Sequence, residues 1–422
     1  MIVKDIQVKL ILTSKKTSTI EVVLTTNKGK FKASVPAGIS TGEGEAKSLP
    51  AKKTIANIEK IIKPALLQGI TKSAVRQNLL FSPAYYRICR TADSVIRQKE
   101  FDDFLIALDG TPDKSRLGAN AILALSIAFY RGGRGERIRE IGANRGMGAI
   151  GGIKGQGTGG GGPRPMFNLI EGGRHSDSGL CVQEFLVCPN LGSFAENLFA
   201  GKKIQKQLRS DLTRLALGLT LGDEGGFSPK LKNTEQALDI LLTAIKKAGF
   251  AGKVDIALDI AANSFYQQGK YNFEGKKLSG KELAKIYVGW LAKYPIISIE
   301  DPFAENDFPA WQKFVRGLTS YIVGDDLTCT NLRLMRRAKA KNLCNAVIIK
   351  PNQIGSVSET LAACELAKKF DWKVIVSHRA AETTDSFIAD LAVLVGAGFI
   401  KSGAPGPKER MAKYNRLLKL LK

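Results

Sequence analysis

Hydrophobic and polar positions alternate from the first residue to about residue 35. IQVKLILT and STIEVVLTT are followed by KGKFKASV, with Asn27-Lys28-Gly29 as turn chemistry between the last two. This pattern predicts an antiparallel sheet. The period then lengthens: AKKTIANIEKIIKPALL and ANAILALSIAFY carry apolar residues at helical spacing. Residues 1–130 therefore read as a small α+β domain.

Composition changes abruptly over 131–162, which hold 14 glycines and five arginines in 32 residues. So little apolar area cannot offset the entropy of ordering, so a flexible linker or loop is expected. The arginines also allow a nucleic-acid tether, although the stretch has no aromatic residue to stack on bases. A shifted reading frame would give the same Gly/Arg-rich text, and composition leaves these readings open.

Beyond residue 163, short apolar runs each end in a charged residue. VDIALD ends at Asp259, IISIE at Glu300, YIVGD at Asp325, AVIIK at Lys350, VIVSH at His378 and FIK at Lys401. The intervals are 41, 25, 25, 28 and 23 residues, about one strand plus one helix plus loops. Amphipathic stretches lie between them, such as Val357, Leu361 and Cys364. Repeated βα units predict a parallel sheet, and this many in series predict a closed α/β barrel over 163–422. A length of 422 residues suits such a barrel with one accessory domain.

A hydrophobic fraction of 44% excludes wholesale disorder. No apolar run reaches the 18 or so residues of a membrane span, and MIVKDIQVKL lacks the apolar core of a signal peptide. A soluble, cytoplasmic protein is expected. Cys89, Cys181, Cys188, Cys329, Cys344 and Cys364 are scattered without a CxxC pair, which predicts reduced thiols rather than a zinc site. A net charge of +24 favours polyanions or small acidic metabolites as partners.

Charges at the C-terminal ends of barrel strands face the position where active sites form. Any one of them could be a helix cap, but six in succession are too many for that. Asp259, Glu300 and Asp325 on successive strands would repel one another unless a cation neutralised them, and hard oxygen donors of this kind suit Mg²⁺. Lys350, His378 and Lys401 then supply groups for an anionic substrate, or a base if a lysine is kept neutral. Metal on one side and lysine on the other suit removal of a proton from carbon next to a carboxylate.

The motifs themselves resemble those of the enolase family (phosphopyruvate hydratases), in order and over nearly the full length. They are VPAGISTGE (35–43), LDGTPDKSRLGANAILALS (108–126), NLIEGGRH (168–175), QEF (183–185), GDEGGFSP (222–229) and LDIAANSFY (258–266). SIEDPF (298–303), GDDLTCTN (324–331), IIKPNQIGS (348–356), SHRAAET (377–383) and IKSGAP (400–405) complete the set. The resemblance implies an enolase-type (β/α)8 barrel with a smaller N-terminal α+β domain, which reversibly dehydrates 2-phosphoglycerate to phosphoenolpyruvate in glycolysis and gluconeogenesis.

It also implies roles for individual residues. Asp259, Glu300 and Asp325 resemble the ligands of one Mg²⁺, and Ser40 a ligand of a second. Lys350 resembles the base that removes the C2 proton; Glu224, assisted by Glu184, resembles the acid that protonates the departing C3 hydroxyl. Lys401 and Arg379 would bind the carboxylate and phosphate ends of the substrate, with His175, Gln183 and His378 lining the pocket. A homodimer or higher homo-oligomer is implied as well. Three positions depart from the family pattern: Ala380 where a serine stands in SHRSGE, Lys15 where an arginine is usual, and Gly44 in place of the histidine of STGEHE. An alternative is a catalytically weakened homologue whose basic surface binds RNA or another polyanion; the retained Glu184, Glu224, Lys350 and Lys401 argue against it.

Overall fold

The computed structural model describes residues 1–38, 42–67, 97–134 and 162–422. Ser40, Cys89 and residues 135–161 of the Gly/Arg-rich stretch lie outside the described residues.

The chain forms two compact units that interleave along the sequence. The first comprises the N-terminal residues together with Lys350–Ala363 and Arg379–Phe387; the rest of the chain from the barrel onward forms the second. Two segments that follow barrel strands cluster with the N-terminal part. Specific hydrogen bonds account for this. Ser14 Oγ donates to the Ala380 carbonyl and accepts from Glu382 N, and Ser358 N and Val357 N donate to Asp102 and Ser126.

In the first unit, β1 (Val3–Leu12), β2 (Ser18–Thr26) and β3 (Gly29–Ser34) make the expected antiparallel meander. The turn between β2 and β3 closes on Gly29 at φ 130°, a conformation that glycine adopts without steric cost. Helices α1 (Ala51–Asn57) and α2 (Lys63–Leu67) are joined by a π-helical turn at Ile58–Ile62. Helix α3 (Gln98–Asp109) follows, then α4 (Ala119–Arg134), whose buried apolar face packs on β2 and β3.

Helix α4 extends to Arg134, four residues into the stretch expected to be a linker. Tertiary contacts override composition there. Arg131 makes two 2.8 Å contacts with the Asp385 carboxylate, and a Cβ on Gly132 would fall 2.4 Å from Met1 and 2.8 Å from Phe31.

The second unit is a closed eight-stranded barrel, with strands β4 (Arg164–Glu171), β5 (Glu184–Pro189), β6 (Val254–Asp259), β10 (Ile296–Glu300), β11 (Tyr321–Gly324), β12 (Ala346–Ile349), β13 (Lys373–Ser377) and β14 (Phe399–Lys401). A small antiparallel sheet, β7 (Tyr266–Gln267), β8 (Lys270–Phe273) and β9 (Lys276–Leu278), is inserted after β6. Met166, Leu186, Cys188, Ala257, Val323, Ile348, Ile375 and Phe399 fill the barrel interior.

The barrel is not wholly parallel, as the repeating pattern had suggested: β5 runs antiparallel to both β4 and β6. Between β4 and β5 there is one 3-10 turn, Gly173–His175, and no crossover helix. Short connections of this kind join antiparallel neighbours, whereas parallel ones need a longer crossover. Helices α5 (Phe194–Arg214) and α6 (Thr234–Lys247) then lead to β6. From β6 onward strand and helix alternate as expected, through α7 (Gly280–Lys293), α8 (Phe308–Val315), α9 (Leu332–Ala340), α10 (Pro351–Ile354), α11 (Val357–Lys369), α12 (Phe387–Leu394) and α13 (Lys408–Leu420). Serine and asparagine caps start several of these helices, among them Ser279 with Glu282 as a capping box on α7.

The described cysteines form no disulfide. Among the described residues, no helix is long and apolar enough to cross a membrane.

Candidate active site

The reversal of β5 puts its first residue at the same end of the barrel as its neighbours' last residues. Glu184 lies in register with Glu171 of β4 on one side and Asp259 of β6 on the other, and Asp259 is in register with Glu300 of β10. Four carboxylates thus follow one another along one rim, and Lys401 ends β14. The Lys401 ammonium lies 3.0 Å from Glu184, 3.1 Å from Asp259 and 3.0 Å from Glu300, all four side chains being almost fully buried. Burial works against the lysine's charge, but Asp259, Glu184 and Glu300 outweigh it and hold the ammonium well above its usual range. Gln183 adds a hydrogen bond to Asp259 at 3.3 Å. Three of the expected residues, Glu184, Asp259 and Glu300, therefore share one cation that belongs to the chain itself.

The loop Gly222–Gly226 carries Glu224. Its backbone is held by the buried Glu171 carboxylate, which accepts from Glu224 N at 3.1 Å and Gly226 N at 2.6 Å. The approach is close enough that a Cβ on Gly222 would meet Glu171 at 2.4 Å, and Gly225 sits at φ 90°. The Glu224 carboxylate accepts from Asn168 Nδ2 at 3.1 Å and lies 3.1 Å from His378 Nε2. His175 Nδ1 stands 3.5 Å from Glu184 and 3.9 Å from Glu224. The group gathers Glu184, Glu224, His175 and His378 as expected. It also includes Glu171, Asn168 and Arg410, which received no role from the sequence.

These carboxyls do not share one proton affinity. Glu171 is pushed up to about 8, by burial first and then by the Glu224 charge. Glu184 is pushed well above the usual carboxylate range, again by burial and then Glu224. Burial also opposes the charge on Glu224, while the His378 and His175 imidazoles draw it well below its usual range to the extent that they are charged. His378 is itself held down at about 3, by burial first and with Arg410 adding to it. A neutral His378 and an imidazolium that pulls Glu224 down exclude each other. The Arg410 contact decides for the neutral ring: Nη1 stands 2.6 Å from His378 Nδ1, and guanidinium only donates. Within this group Glu184 and Glu171 are the carboxyls that favour the protonated form.

A second acidic group follows β10 and β11. Asp301, Asp325 and Asp326 bring one carboxylate oxygen each within 4.8 Å of one another. Asp301 accepts from Asp325 N at 3.0 Å and Asp326 N at 2.8 Å, and Asp326 accepts from Asn263 at 2.9 Å. Asp301 thus holds the GDD loop. Burial, then Asp326 and Asp325, push it well above the usual carboxylate range.

In the first unit, Lys350 is the N-cap residue of α10, directly after β12 in the chain. Arg379 donates to Glu45 at 3.0 Å and to Asn352 at 3.4 Å. Gln353 donates to the other oxygen of Glu45 at 3.4 Å. A Cβ on Gly38 would fall 1.9 Å from the Arg379 guanidinium, so the glycine of VPAG is the residue that admits it. Arg379 was expected to bind substrate phosphate; in this structure Glu45 supplies the anion. Ala380, which lacks the family's hydroxyl, is held through its carbonyl by Ser14 instead.

Two family models match the chain. "Enolase, N-terminal domain" covers residues 3–136 and "Enolase, C-terminal TIM barrel domain" covers 162–422. The chain belongs to the enolase family. The family's barrel and N-terminal domain correspond to the closed eight-stranded barrel and the small sheet domain described above. The strand-end carboxylates with Lys401 and the His378–Glu224 group lie within the residues matched to the barrel model. An enolase-family lyase accounts for both, and the buried acidic groups are suited to holding a metal ion.

Proposed function

We propose that this chain interconverts 2-phosphoglycerate with phosphoenolpyruvate and water, as a Mg²⁺-dependent enolase of glycolysis and gluconeogenesis. The observation that carries the reading is the in-register row Glu184, Asp259 and Glu300 around Lys401. It collects strong negative charge and one permanent cation in a buried place, which is what a charged, proton-abstracting reaction needs. Lys350 takes the C2 proton. Glu184, whose burial favours its protonated form, and Glu224 beside it give a proton to the leaving C3 hydroxyl, so that the net change is loss of water. Lys401 and Arg379 bind the acidic ends of the substrate, and His175, Gln183 and His378 line its pocket.

The donor chemistry fits Mg²⁺. Asp259, Glu300 and Asp325 are hard oxygen donors, and beside Asp325 the carboxylates of Asp301 and Asp326 bring further oxygens within 4.8 Å, a crowding of negative charge that a divalent cation relieves. In this reading those three hold one ion and Ser40 takes part in holding a second. When bound, the metal supplies charge neutralisation for a substrate carboxylate that becomes dianionic as the C2 proton leaves.

The test is an absorbance assay for phosphoenolpyruvate formed from 2-phosphoglycerate, with and without Mg²⁺. Formation of product only with the metal is expected. A folded protein that forms none at saturating substrate and Mg²⁺ would overturn the reading.

A further inference from the structure

Arg410 on α13 is fully buried, and its Nη1 approaches His378 Nδ1 at 2.6 Å. Nη2 donates to the Asp223 carbonyl at 3.1 Å, one residue before Glu224. On the opposite side of the same ring, Nε2 faces Glu224 at 3.1 Å. Guanidinium has five donors, no acceptor and a charge it does not lose at accessible pH. A contact of this length therefore needs the lone pair of Nδ1, and the imidazole's one hydrogen is left on Nε2, which stands 3.1 Å from Glu224 without a hydrogen bond of good geometry in this structure.

We propose that Arg410 is a positioning residue that fixes His378 as the neutral Nε2–H tautomer, so that Glu224 faces a hydrogen-bond donor and not an imidazolium. The proposal rests on the reading of Glu224 as part of the acid pair. An imidazolium beside Glu224 would hold that carboxylate ionised and take away the proton the leaving hydroxyl requires. A neutral donor also favours the ionised carboxylate, but less than a full positive charge beside it would. The charged groups that act on the ring are Glu224 on its loop, Arg410 on α13 and Lys401 on β14. Two are cations that oppose protonation and one is an anion that favours it. Removing Arg410 takes away one cation and also frees Nδ1 to accept a proton.

The chain has two histidines, which makes the test direct. In protein labelled with ¹⁵N-histidine, two rings appear, and His175→Asn assigns them. Expected for His378 in the unaltered protein is a pyridine-type Nδ1 and a protonated Nε2, unchanged from about pH 5 to 9. In Arg410→Met the ring should exchange tautomer or take up a proton with a midpoint between about pH 5 and 8. Arg410→Lys, which keeps a donor-only cation, should restore the Nε2–H form in part. In phosphoenolpyruvate formation, Arg410→Met should lower kcat roughly 10- to 100-fold, less than the 10²–10⁴ expected for loss of a general acid, with KM little changed. Its acid limb should move to higher pH, because activity is lost as pH falls through the raised His378 pKa.

A protonated Nδ1 on His378 in the unaltered protein overturns the proposal, and that measurement needs no variant to fold. So does a folded Arg410→Met whose ring spectrum is unchanged. The spectra do not depend on turnover, so a protein that forms no phosphoenolpyruvate yet shows the expected tautomer would count against the dehydration reading alone.

Discussion

Glu184 and Asp259 face each other across the antiparallel pair of β5 and β6, one as the first residue of its strand and the other as the last. Their carboxylates lie 3.0 and 3.1 Å from the same Lys401 ammonium. Strand direction is what brings them together, since a parallel β5 would put Glu184 at the other end of the barrel. The pairing makes Lys401 responsible for stability as well as chemistry.

Lys401→Met should destabilise the fold by about 3–5 kcal/mol, because it leaves buried carboxylates without their cation. The carboxyls would respond by binding protons. A carboxyl whose folded pKa is raised contributes stability at low pH and loses it as pH rises through that pKa. The deficit relative to the unaltered protein should therefore be small near pH 4 and grow toward pH 8. Urea titrations at several pH values measure this, and a deficit independent of pH would contradict the assignment.

Lys350→Ala should slow exchange of the substrate C2 proton by on the order of 10² to 10⁴, with substrate binding largely kept. Isotope exchange from labelled 2-phosphoglycerate reads this step separately from loss of water. Exchange at an undiminished rate would move the base to another residue.

Asp325→Asn should weaken Mg²⁺ binding and activity together, since it removes one charge from the metal-binding group. Calorimetric titration with Mg²⁺ is the measurement. If affinity is unchanged in this variant and falls in Asp326→Asn, the ligand is Asp326, whose hydrogen bond from Asn263 would then be part of holding the metal group.

Arg131→Met should lower stability by about 1.5–3 kcal/mol, the range for hydrogen bonds to a charged partner. Burial opposes the Asp385 charge, but Arg131 outweighs it and holds the carboxyl below its usual range. A depressed carboxylate pKa gives stability above the unfolded value of about 3.9 that is lost as pH falls. The difference between variant and unaltered protein should accordingly be present at pH 7 and shrink below about pH 4. A constant difference across that range would mean that Arg131 acts through packing alone.

The sequence by itself determined the antiparallel N-terminal sheet and the series of βα units. Both are written in local periodicity, which depends only on which side chains must be buried. It also marked Asp259, Glu300, Asp325, Lys350, His378 and Lys401, because an apolar strand that stops at a charged residue shows directly in the letters. It did not reveal that β5 runs backward, since strand direction leaves no trace in hydrophobic alternation. For the same reason Glu184 was legible only within a motif. Asn168 and Arg410 carried no signal of their own, Arg410 sitting in a basic helix, while Glu171 closes an apolar run as Asp259 does and was nonetheless given no role. Their importance comes from burial beside Glu224 and His378, a matter of distances between segments far apart in the chain. Tertiary structure alone decided that α4 continues through Arg134 into glycine-rich sequence, because an ion pair to Asp385 and a tight packing site for Gly132 outweigh low helix propensity. It likewise decided which acid holds a proton. Burial, neighbouring charge and the donor at Nδ1 of His378 set that, and none of them exists until the strands have closed into a barrel.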